Sequence, residues 1–139
     1  MKIYHHVLVL IHGRHDGERL LPHACQVARQ NDAQLTLGHI SGDLAALRGM
    51  LDVNLTRMEQ QSLNDARQVL MSLVHQQDYP IDAEQIVSMD ALDDLREFVT
   101  RQQVDLLMLG HHNRALAKFV STSFDFINGL ETDVLVKHL

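Results

Sequence analysis

Apolar residues gather in five short runs, residues 3–11, 34–40, 83–88, 104–109 and 133–136, with helix-length segments between most of them. The first, fourth and fifth runs are nearly continuous in Val, Leu and Ile, the pattern of strands buried on both faces. Between the first two, residues 16–30 place Leu20, Leu21, Ala24, Val27 and Ala28 on one helical face. Asp16 is positioned to cap this helix, with Glu18 in its first turn. A longer helix is predicted over 54–77, turning Leu55, Met58, Leu63, Ala66, Leu70, Leu73 and Val74 inward. Tyr79-Pro80 stops it, because a residue before proline is pushed out of the helical region. Residues 91–103 predict a further helix, capped by Asp90, with Leu92, Leu95, Phe98 and Val99 facing in. The last helix spans 115–128 and ends at Asn128-Gly129, a common left-handed stop. Residues 42–53 are the least regular and read as a loop with a helical turn.

Strands alternating with helices imply a parallel sheet joined by right-handed crossovers. The predicted fold class is α/β, one doubly wound, Rossmann-like domain over residues 1–139, long enough to bury a substantial core. At 45% hydrophobic and 22% charged, the chain is globular rather than disordered. A formal charge of -6, with no clustering of Lys and Arg, argues against nucleic acid or an anionic membrane as partner. The apolar run at 7–11 is too short for a signal peptide, and nothing approaches the roughly 20 apolar residues of a membrane helix. A cytoplasmic protein is expected. The single Cys25 excludes an intrachain disulfide and, by its helical spacing, reads as a small core residue.

The fourth run opens into Gly110-His111-His112-Asn113 before the last helix. A strand, a glycine and a helix start are where α/β proteins hold phosphate, since helix N-terminal N–H groups point outward there. Here glycine is absent from the rest of the turn, and side chains occupy the room that phosphates need.

Several stretches, taken in order, resemble the universal stress proteins, specifically their A-type branch. They are His6-Val7-Leu8-Val9, Ala28-Arg29-Gln30-Asn31-Asp32-Ala33 into Leu35-Thr36-Leu37-Gly38-His39-Ile40, and Asp52-Val53-Asn54-Leu55. Tyr79-Pro80-Ile81, Asp105-Leu106-Leu107-Met108-Leu109-Gly110-His111-His112, Ile127-Asn128 and Asp133-Val134-Leu135-Val136 complete the set. The resemblance implies a five-stranded parallel sheet of order 3-2-1-4-5 with helices on both faces. It also implies a homodimer that supports survival of starvation, oxidants or DNA damage rather than a turnover reaction.

The family's nucleotide-binding branch carries an Asp after the first strand and a Gly-x-x-Gly-x9-Gly-Ser/Thr motif after the fourth. By position these fall on His12 and on Gly110, Asn113, Ser123 and Phe124, of which only Gly110 matches. Asn113 and Ser123 add side chains where backbone should approach phosphate. Phe124 replaces a hydroxyl with a ring, and His12 lacks a carboxylate's acceptor pair. Tight ATP binding and a bound cofactor are therefore not expected. The alternative is an ATP- or AMP-binding sensor with weak ATPase activity, using Gly110, Asn113, Ser121 and Ser123.

The chain has ten histidines. In the implied strand order, His12, His39, His111 and His112 border one crevice at the switch point where ligands bind in such sheets. They read as a polar rim of hydrogen-bonded imidazoles. No metal is expected, since His111-His112 lacks the i, i+4 spacing of a helical pair and no Cys joins it. His5-His6 lies at the opposite end of the first strand. No catalytic residue is assigned: Ser121-Thr122-Ser123 lacks a nucleophile elbow, and Asp93, Asp94 and Asp125 read as a solvated helix face.

The final strand lies at the sheet edge with only His138 and Leu139 after it. An apolar edge is an aggregation hazard unless paired. A two-fold dimer through Val134, Leu135 and Val136 resolves it.

Overall fold

The computed structural model describes residues 3–11, 13–40, 55–86, 91–111 and 132–138. The expected loop at 42–53 and last helix at 115–128 lie outside these residues, as does Asp90. Along the chain run β1 (His6–Ile11), α1 (Arg14–Asn31), β2 (Gln34–Ile40), α2 (Leu55–His75), β3 (Asp82–Ile86), α3 (Ala91–Arg101), β4 (Leu106–His111) and β5 (Asp133–His138).

The sheet has the order β3-β2-β1-β4-β5, with parallel pairing throughout. The order and the α/β class are those the resemblance implied. All six residues of central β1 are buried, which is why its sequence carries no alternation of apolar and polar positions. Successive strand side chains point to opposite faces. Val7, Val9, Ile11, Leu35, Leu37, Leu106 and Met108 pack with Leu20, Leu21 and Ala24 of α1 and Leu70 and Leu73 of α2. Leu8, Leu10, Leu107 and Leu109 face the other way and are also buried, as are Leu95, Phe98 and Val99 of α3. Each such side chain contributes about 1.5–3 kcal/mol on leaving water, so burial on both faces dominates the stability.

Element ends depart from the hydrophobic pattern where side chains, not ladder bonds, take the backbone. The first run begins at Ile3, yet β1 starts at His6. The Ile3 and Tyr4 N–H groups donate to Asn31 Oδ1, and the His5 N–H donates to the Asp105 carboxylate. Val104 reads as strand but belongs to the turn after α3, its N–H bonded to Val99 O at 3.0 Å. Gln103 adopts a left-handed φ of 55° in that turn, which ends α3 short of the expected position. The reading of Asp16 as a helix cap is wrong. The helix begins at Arg14, Gly13 occupies the cap position without a side-chain cap bond, and Asp16 is a buried residue of the first turn.

Candidate functional site

The C-terminal ends of β1, β2 and β4 meet at one end of the sheet. In the β1–β2 register Ile11 stands beside His39, whose imidazole is half-buried. Gly110 and His111 close β4, in register with Lys137 and His138 of β5. The structure thus brings His39, Gly110 and His111 to the strand ends where they were expected. His12, His112, Asn113, Ser121, Ser123 and Phe124 lie outside the described residues.

Two features of this end were missed from the sequence. Gly13 stands at the cap position of α1 and makes no side-chain cap bond, and a helix N-terminus carries the positive end of the helix dipole. Arg14 begins that helix and donates from Nη1 to Ser72 Oγ at 3.0 Å. With the helix dipole and Lys137, this gives the crevice end a positive bias, which the buried Asp16 in the first turn partly offsets. A missing cap residue before Arg14 was the signal that could have revealed the first feature. Among the described residues, no group of three His, Cys, Asp or Glu side chains is placed to hold a metal ion.

The opposite end of the sheet is a hydrogen-bonded base. His6 is only 4% exposed. Its Nδ1 lies 2.9 Å from Gln102 O and its Nε2 2.7 Å from Thr36 Oγ1. A carbonyl can only accept, so Nδ1 carries the proton and the Thr36 hydroxyl donates to Nε2 in the neutral ring. Asp105 accepts from the main-chain N–H groups of His5 and His6 and from the His5 ring at 3.2 Å. Burial alone would raise the Asp105 carboxyl. The His6 and His5 donors outweigh it and hold the group below the usual carboxylate range. As expected, His5 and His6 lie away from the crevice; the structural task of His6 depends on Gln102, 96 positions away, and was not legible.

Cys25 is buried in the core on α1, as its helical spacing predicted, and burial pushes its thiol upward. At the β5 edge, Val134 and Leu135 are half-buried, and Leu135 packs against the main core cluster. Val136 is 43% exposed, one of three large apolar side chains left open among the described residues.

A five-stranded parallel sheet whose strand order reverses between β1 and β4 places this protein among the doubly wound α/β folds. The model of the universal stress protein family matches residues 3–138, and the chain belongs to that family. It is 31% identical over 135 residues to a universal stress protein A homolog of Pasteurella multocida, covering 96% of each chain. Among solved structures it is similar to a universal stress protein family member from Burkholderia pseudomallei, with a TM-score of 0.69 and 15% identity over 96% of this chain and 95% of that one. It is also similar to the universal stress protein from Archaeoglobus fulgidus in complex with dAMP, with a TM-score of 0.66 and 17% identity over 96% and 98%. No described helix is long and apolar enough to cross a membrane.

Proposed function

We propose that this universal stress protein is a cytoplasmic, non-catalytic interaction module. It works as a homodimer joined through β5, and it supports survival under starvation, oxidant or DNA-damaging stress. The observation that carries the dimer is the exposed Val136 in an edge strand bonded only to β4 among the described residues. An unpaired apolar edge invites another strand, and antiparallel joining of two copies satisfies both edges with closed symmetry. Val134, Leu135 and Val136 form that contact. Sedimentation at micromolar concentration tests it: a dimer is expected, converted to monomer by Val136→Lys. A monomeric wild-type chain rejects the reading.

A second reading is a nucleotide sensor at the crevice, using Gly110, Asn113, Ser121 and Ser123. The uncapped start of α1 favours it, because helix N-terminal N–H groups suit phosphate, and the similar Archaeoglobus protein was solved with dAMP. Against it stand the residues at the motif positions after β4, where Asn113, Ser123 and Phe124 replace two glycines and a hydroxyl. The first reading is preferred for that reason.

A further inference from the structure

Residues 3–6 run across the base of the sheet and are tied there to four separate elements. Ile3 and Tyr4 donate their N–H groups to Asn31 Oδ1 at 2.8 and 3.2 Å, at the end of α1. Asn31 is itself fixed, since its Nδ2 donates to Val27 O at 2.8 Å. His5 and His6 donate to Asp105 just before β4, and the His6 ring reaches Thr36 of β2. The fourth tie goes furthest. The Tyr4 hydroxyl donates to Asp133 Oδ2 at 2.9 Å, across 129 positions, at the first residue of β5.

Among the described residues, the start of β5 is held besides by its ladder with β4 and by two further bonds. The Asp133 N–H bonds to Asp105 O at 3.3 Å, and Thr132 Oγ1 donates to Val104 O at 3.3 Å. Asp105 therefore receives the strap on its carboxylate and β5 on its carbonyl. A shift of one residue in an edge strand turns every side chain to the other face, so each tie that holds its first residue in place helps fix the register. Here such a shift would send the core-packed Leu135 outward.

We propose that residues 3–6 act as a strap across the base of the sheet, and that the Tyr4–Asp133 bond is the buckle that fixes β5 in register for pairing with a second copy of the chain. The pairing rests on the edge-to-edge reading above; the strap does not. The buckle is a positioning device, since Tyr4 makes no part of the apolar contact itself.

The test is hydrogen exchange on the full chain, comparing wild type with Tyr4→Phe. Phenylalanine keeps the ring and removes only the donor. Loss of one hydrogen bond of ordinary strength speeds exchange of the β5 amides about fivefold, with β3 unchanged. Asp133→Ala reproduces the effect, while Asp133→Asn, which keeps an acceptor oxygen, stays near wild type. Unchanged β5 exchange in Tyr4→Phe overturns the proposal, and so does an equal acceleration in every strand. Sedimentation of the same samples separates the two ideas. Faster β5 exchange in a chain that is monomeric throughout keeps the strap and removes the dimer, whereas a dimer with unaltered β5 exchange does the reverse.

Discussion

Gly17 of α1 lies so close to Leu73 of α2 that a Cβ built on the glycine would overlap the leucine's Cδ1. Leu73 is fully buried in the main core cluster and has little room to withdraw. Glycine in mid-helix is ordinarily unfavourable, and replacing it with alanine gains about 1 kcal/mol from propensity alone. Here overpacking opposes that gain with about 1–3 kcal/mol. Gly17→Ala is therefore expected to be neutral to destabilising by about 2 kcal/mol in urea unfolding. A stabilised Gly17→Ala would mean that the two helices have freedom to separate. Gly13 is the contrasting case: open space surrounds its Cβ position, and Gly13→Ser supplies the missing cap and raises stability by a few tenths of a kcal/mol.

The buried His6 ring makes a second prediction. Thr36→Val keeps the shape of the side chain but removes the hydroxyl that donates to Nε2, leaving a buried acceptor unpaired. The expected loss is about 1–3 kcal/mol. Thr36→Ser keeps the hydroxyl and loses one methyl, about 1 kcal/mol. If the two variants unfold at the same urea concentration, the Thr36–His6 bond contributes nothing beyond packing.

Asp105 predicts the acid limb of the stability curve. Its folded carboxyl lies below the ordinary value because the His5 and His6 donors outweigh burial. A group with a depressed folded value stabilises fully above its unfolded pKa, about 3.9, and loses that contribution as pH falls through the folded value. Wild-type stability should therefore decline below about pH 4. Asp105→Asn should be the less stable chain at neutral pH, with the gap closing in acid. Urea midpoints measured from neutral pH to pH 3 or so check this; a gap that stays constant over that range removes Asp105 ionisation from the account.

Much of the fold could be read from burial alone. The unbroken apolar run Val7 to Ile11 marks a central parallel strand because both its faces are covered, and all of it is buried in the structure. The strand order came through the family resemblance, since nothing in a single apolar run states which neighbour it takes. Element ends were less legible. Ile3 and Val104 look like strand residues by hydropathy, but their N–H groups are taken by Asn31 and by Val99 O. Asp16 looks like a cap by residue type, and only the packing of α1 against the sheet shows that it is buried. At the candidate site, His39 and Gly110 were placed by their position at strand ends. The bias from Arg14 at the start of α1, and from Lys137 beside Gly110, required the three-dimensional register.

The proposed function places the chain's action at its β5 edge and not at a bound nucleotide. Calorimetric titration of the purified protein with ATP and Mg²⁺ tests that most directly. No binding tighter than high micromolar is expected; a clear submicromolar affinity would overturn the proposal and return the crevice at Gly110 to the centre of the function.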